Sequence, residues 1–133
     1  MGEEIIIELL KKTRSNALAL YSNFHVGAVL VTKDDRLITG FNIESSSYGL
    51  TICAERVALF KALSEGIKDF TKIYIMSDGS EPCPPCGACR QVLMDFAPGL
   101  EVVMVSEQGK RKAMPLKDLL PYAFNDANLS KRD

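Results

Sequence analysis

The sequence predicts a three-layer α/β/α domain built on a five-stranded mixed sheet. Its periodic segments run helix, hairpin, helix, strand, helix, hairpin, so helices alternate with strands instead of being segregated from them. Its 133 residues fit a single domain, 1–133, able to bury a substantial core. Only a few residues around Gln108-Gly109 separate the last two strands. A parallel crossover needs roughly a dozen residues or more, so strands four and five, if adjacent, are antiparallel.

Each element has its own signal. Over residues 3–20, Ile6, Leu9, Leu10, Thr13, Ala17 and Leu20 recur at helical spacing and give an amphipathic first helix. Residues 25–32 and 36–42 read as two strands joined by a turn at Lys33-Asp34-Asp35. Residues 43–50, IESSSYGL, form a polar loop. Thr51 is suited to cap a helix over 52–65 that stops at Gly66. Ala54, Val57, Ala58, Leu59, Phe60, Ala62 and Leu63 cover most of its circumference, which implies a central helix with surface left for another subunit. A third strand occupies 72–77, and a loop over 78–85 leads to a third helix. On that helix Cys89, Val92, Leu93 and Phe96 share one face, closed by Pro98-Gly99. Residues 101–106 and 112–114 are the last strands and 115–120 a helical turn, and the polar tail beyond Phe124 is expected to be mobile.

Composition narrows the function classes. With 47% hydrophobic and 25% charged residues, the chain is ordinary for a soluble globular protein. Net charge is −1, and the densest basic run, Lys110-Arg111-Lys112, is too short for a nucleic-acid footprint. A small, roughly neutral substrate suits this balance better than a polyanion. The start MGEEIIIELLKK is acidic and broken by Glu8, so it reads as neither signal peptide nor membrane span. A cytoplasmic, reducing setting follows as the expectation, and there four cysteines read as metal ligands or reactive thiols before disulfides.

The chemistry concentrates in residues 81–91, EPCPPCGACRQ, where Cys83, Cys86 and Cys89 make two overlapping C-x-x-C pairs. Two thiols three apart at a helix start lie on one face, where the positive helix end favours thiolates. That arrangement serves zinc or a redox dithiol equally. The segment 51–56, TICAER, favours zinc, because a third cysteine, Cys53, opens the second helix with Glu55 two residues on. Residues two apart on a helix point about 200° apart. In the first turn, however, both side chains can lean back past the helix start. A metal there could take Cys53 while Glu55 reaches a ligand on its open side. Three thiolates leave tetrahedral zinc one position for water, as catalysis requires. They also leave the site with net negative charge, which two helix N-termini and Arg56, three residues after Cys53, would offset. A structural zinc with Cys83 as fourth thiolate is the alternative, and it leaves Glu55 without a task.

The pairing of C53-A-E55-R56 with P85-C86-G-A-C89-R-Q resembles the zinc-dependent nucleoside deaminases, and the chain from about Tyr21 to Phe124 resembles the small homotetrameric cytidine deaminases. The resemblance implies a cytidine-deaminase-like fold and hydrolysis of cytidine to uridine and ammonia in pyrimidine salvage, with Zn2+ and no organic cofactor. It selects Cys53, Cys86 and Cys89 as zinc ligands, leaves Cys83 as a loop thiol, and makes Glu55 the proton shuttle. Arg56 then hydrogen-bonds a ligating sulfur. By the same resemblance Phe24 packs on the pyrimidine, Asn42 and Glu44 hold the ribose 3′-hydroxyl, and Tyr48 and Phe124 reach a neighbouring subunit's site. His25 stands where proline is common, and Ser45-Ser46 replace the usual Asn-Ala. Three rivals remain: a deaminase of an aminonucleoside antibiotic such as blasticidin S, a nucleic-acid deaminase, and a non-catalytic zinc or redox module. The Asn42-Ile43-Glu44 motif argues against the first, the absence of a basic face against the second, and Glu55 against the third.

Overall fold

Residues 28–31, 73–76 and 102–105 are apolar at every position, so a strand made from any of them offers an apolar face on both sides. The computed structural model, which describes residues 2–130, uses them as the three central strands. The sheet comprises β1 (Gly27–Thr32), β2 (Leu37–Phe41), β3 (Phe70–Met76), β4 (Glu101–Val105) and β5 (Arg111–Pro115), in the order β2-β1-β3-β4-β5. β3 and β4 are parallel; every other neighbouring pair, including β4 with β5, is antiparallel.

Strand alternation sorts the core into two layers. Val29, Val31, Tyr74, Met76, Val103 and Val105 face α1 (Glu3–Ser15), which inserts Ile6 and Leu10. Ala28, Leu30, Ile73, Ile75, Val102 and Met104 face the opposite side. There α2 (Ala54–Ser64) contributes Ala54, Ala58, Leu59 and Ala62, and α3 (Gly87–Phe96) contributes Leu93. The α/β/α layering expected from the sequence is what forms. Two short helices, α4 (Leu116–Leu119) and α5 (Asp126–Ser130), complete the described chain.

Several boundaries differ from the sequence pattern, each because a competing interaction wins. α1 ends at Ser15, so Ala17 and Leu20 lie outside it despite their spacing. The Leu18 amide instead donates to the Asn42 carbonyl at 3.0 Å, and the Leu18 carbonyl accepts from the Glu44 amide at 3.0 Å. Thr51 does not cap α2. Ile52 and Ile43 exchange two backbone hydrogen bonds at 3.0 Å, which keep Ile52 extended, and Cys53 becomes the N-cap. The far end of α2 behaves as read: Gly66, at φ 82°, lets the Gly66 and Ile67 amides close on the Leu63 and Ala62 carbonyls. Phe96, placed on the core face by its spacing, is 50% exposed, as is Phe60 on α2 at 43%. The tail beyond Phe124 includes α5, and its residues 131–133 lie outside the described residues.

Candidate active site

A helix leaves its first amides unpaired and its N-terminus electropositive, so two helix starts brought together make a strong anchor for thiolates. Here α2 and α3 do this with cysteines as the capping residues themselves. Cys53 and Cys86 are the N-caps, both extended in backbone (φ −70°, ψ 155° and φ −67°, ψ 165°), and neither side chain is spent on a capping hydrogen bond. Cys89 lies in the first turn of α3 and is fully buried. The three sulfurs all lie within 4.8 Å of one another, and Cys53 Sγ is 3.7 Å from Cys86 Sγ.

That spacing is a test of fit. A tetrahedral zinc with bonds of about 2.3 Å holds its thiolates about 3.8 Å apart. The cysteine sulfurs therefore sit close to the separation the ion requires. Cys83 does not join the cluster, although it is half-buried and lines the same cleft; its thiol donates to the Pro84 carbonyl at 3.6 Å. The fourth-thiolate alternative thus finds no support in the geometry. The donor set is three sulfurs, one fewer than the four ligands of a closed structural zinc site.

Electrostatics around the sulfurs point the same way. A hydrogen bond from Cys89, helped by Arg56 and Cys86 against the cost of burial, pulls the Cys53 thiol down to about 5. The contact with Cys53, together with burial, drives Cys89 up. The opposite shifts show that Cys53 and Cys89 share a proton between neighbouring sulfurs. Arg56 Nη2 donates to Cys53 Sγ at 3.6 Å, and Arg56 Nε is buried without a hydrogen-bond partner. Its guanidinium charge thus lies beside the sulfurs of Cys53 and Cys89 and is felt by Glu55 as well.

Glu55 is 4% exposed and lines the cleft beside Cys53 and Cys86. Burial pushes its carboxyl up to about 7, where it can both accept and release a proton near neutral pH. Phe24, Val26 and Ile75 give the cleft its apolar wall.

Asn42 and Glu44 also line it, but their polar atoms already serve the chain. The Asn42 amide accepts from the Val26 N–H at 2.9 Å and donates to the Phe24 carbonyl at 2.9 Å. Glu44 Oε1 accepts from the Tyr21 and Ser22 amides, both at 2.9 Å, and Oε2 from the Ser22 hydroxyl. Those bonds, the Ser22 hydroxyl foremost, hold the Glu44 carboxyl below its ordinary value. Ser22 was not singled out from the sequence. The only local signal was its place in a polar Ser-Asn turn, where Asn23 takes φ 57°.

Tyr48 and Phe124 stand apart from the sulfurs. Tyr48 is 74% exposed in a short 3-10 turn over Tyr48–Leu50, its ring centre 5.8 Å from that of Tyr21. Phe124 is 56% exposed, and its carbonyl accepts from Gln91 Nε2 at 2.8 Å. Neither lines the cleft that holds Glu55.

A model of the cytidine and deoxycytidylate deaminase zinc-binding region matches residues 3–106. The chain belongs to that family. A cytidine deaminase of Halalkalibacterium halodurans is 44% identical over 131 residues, covering 98% of this chain and 99% of its own. The crystal structure of cytidine deaminase from Burkholderia pseudomallei superposes with a TM-score of 0.89 at 46% identity, over 93% of this chain and 100% of that one. Blasticidin-S deaminase of Bacillus cereus is 31% identical over 128 residues, 89% of this chain and 91% of its own. The Cys53, Cys86 and Cys89 cluster fits the zinc binding that the family model describes.

Proposed function

We propose that this chain hydrolyses cytidine and deoxycytidine to uridine and deoxyuridine with release of ammonia. The observation that carries the reading is the convergence of three cysteine sulfurs beside a buried carboxyl group in an apolar-walled cleft. Cys53, Cys86 and Cys89 would hold the zinc, which would supply the Lewis acidity that makes water a competent nucleophile at neutral pH.

The remaining work falls to the chain's own groups. Glu55 takes a proton from the attacking water and gives one to pyrimidine N3 as the water oxygen bonds C4. It then takes the remaining proton from the new C4 hydroxyl and delivers it to the amine as the C4–N bond breaks and the C4 carbonyl forms, so water and cytidine become uridine and ammonia. Its elevated pKa suits both directions of transfer. Arg56 and the two helix N-termini offset the negative charge gathered on sulfur. Phe24 stacks against the ring, while Asn42 and Glu44 border the sugar.

Tyr48 and Phe124 have a place in this reading only through other copies of the chain. Large exposed aromatics outside their own cleft are what a homotetramer with shared sites would present, and Phe60 on α2 offers further apolar surface. Four free cysteines agree with a reducing, cytoplasmic setting. Among the described residues, no helix is long and apolar enough to cross a membrane. The decisive assay follows ammonia release by zinc-loaded protein from cytidine, deoxycytidine, cytosine and blasticidin S. Turnover of the two nucleosides is expected, with cytosine poor because the sugar's binding energy is missing. Preference for blasticidin S would transfer the reading to that substrate.

A further inference from the structure

β1 begins at Gly27, yet the residues before it are held as if the strand continued. On the β2 side, the Asn42 side chain accepts from the Val26 amide and donates to the Phe24 carbonyl, both at 2.9 Å. On the β3 side the main-chain ladder stops at Met76, which pairs with Gly27. Two residues on, Asp78 Oδ2 accepts from the His25 amide at 2.7 Å and lies 2.8 Å from His25 Nδ1. Two side chains, one from each flank, thus extend the ladder past the end of β1 and hold Phe24 and His25 from opposite sides.

Asp78 is itself fixed. Arg14, whose side chain is 12% exposed, donates from Nη1 to the Ser77 carbonyl at 2.8 Å, and its Nη2 forms an ion pair with Glu107 Oε1 at 3.0 Å. Its Nε lies 4.0 Å from Asp78 Oδ1. Burial works against charge on Asp78, but the His25 amide and ring and the Arg14 guanidinium keep its carboxyl below the ordinary value. α1, the end of β3 and the end of β4 are thereby tied to the segment that carries Phe24.

We propose that Asp78 is a positioning residue for substrate binding, acting through His25 to hold the Phe24 ring at its place in the cleft wall. This rests on the nucleoside reading above, in which Phe24 meets the pyrimidine. Asp78 touches neither the sulfurs nor Glu55, so its work is to fix where the ring of the substrate packs and not to move protons.

The test uses zinc-loaded protein and three readouts: steady-state kinetics on cytidine, zinc content, and amide hydrogen exchange without substrate. Asp78→Ala should raise KM about three- to tenfold, the range of one ordinary net hydrogen bond, since Asp78 acts on the ring only through His25, with kcat and zinc nearly unchanged. Asp78→Asn keeps an acceptor for the His25 amide and should recover part of the loss. In the exchange experiment Asp78→Ala should release the His25 amide while Val26, held by Asn42, stays protected. A lower kcat with unchanged KM, loss of zinc, or an undisturbed His25 amide would overturn the proposal. If wild-type protein does not act on cytidine the nucleoside reading fails, and the exchange arm still decides whether Asp78 holds this segment.

Discussion

The most exacting consequence of the architecture concerns Gly40, on β2 beneath the start of α2. A Cβ there would lie 2.5 Å from the Ala54 carbonyl oxygen, 2.5 Å from the Ala58 amide nitrogen and 2.9 Å from Ala58 Cβ. Ordinary contact begins at 3.4 Å, and the obstacles are helix backbone that cannot turn aside. Gly40→Ala therefore requires α2 and β2 to separate by about 0.9 Å, an overpacking that typically costs about 1–3 kcal/mol. The same displacement moves Cys53 and Glu55, which lie at the near end of α2, relative to Cys86 and Cys89 on α3. Misplacement of a reacting group by about 1 Å can cost on the order of 10²-fold in rate. Urea denaturation should show a lower midpoint with unchanged slope. Zinc-loaded variant assayed well below that midpoint should turn over cytidine about 10- to 100-fold more slowly. Gly99→Ala, whose Cβ would meet nothing within 4 Å, is the control and should change neither quantity. Wild-type stability and rate for Gly40→Ala would refute the claim that this contact sets the height of α2 over the sheet.

Two further outcomes follow from the site. Cys86→Ser or Cys89→Ser should lose zinc and activity together, whereas Cys83→Ser should keep one zinc per chain by metal analysis, since Cys83 lies outside the sulfur cluster. If sites are shared between copies as proposed, Phe124→Ala should raise KM while sparing zinc, and mixing it with Cys86→Ser protein under conditions that exchange subunits should restore activity, since an intact metal site would then receive Phe124 from a neighbour. An active monomer on sedimentation, or no complementation despite proven exchange, would count against shared sites.

Much of this was legible in the chain, for identifiable reasons. Central strands buried on both faces read as unbroken apolar runs, and the short β4–β5 connection permits only an antiparallel pair. The cysteine spacing places thiols at helix starts whatever the tertiary detail. Long-range hydrogen bonds were not legible. Periodicity carried α1 through Leu20, but pairing of Leu18 with residues 42–44 takes that segment out of the helix. Thr51 looked like a cap until Ile52 paired with Ile43, leaving Thr51 Oγ1 to accept from the Ser45 amide at 3.1 Å. Asn42 and Glu44 came forward as sugar-binding residues from family resemblance; that their polar atoms also organise residues 21–26 depends on contacts 16 to 23 positions away. The Asp78–His25 brace, 53 positions apart, left no local signal at all.

The central claim is that Glu55 moves the protons while the three cysteines hold the metal. Glu55→Gln tests it most directly, because it keeps the size of the side chain and removes the base. Zinc content, thermal stability and ammonia release should be measured on the same preparation. The account predicts one zinc per chain, a folded protein, and turnover of cytidine lowered by at least about 10²–10⁴-fold. A zinc-replete Glu55→Gln protein that turns over cytidine at the wild-type rate would contradict it.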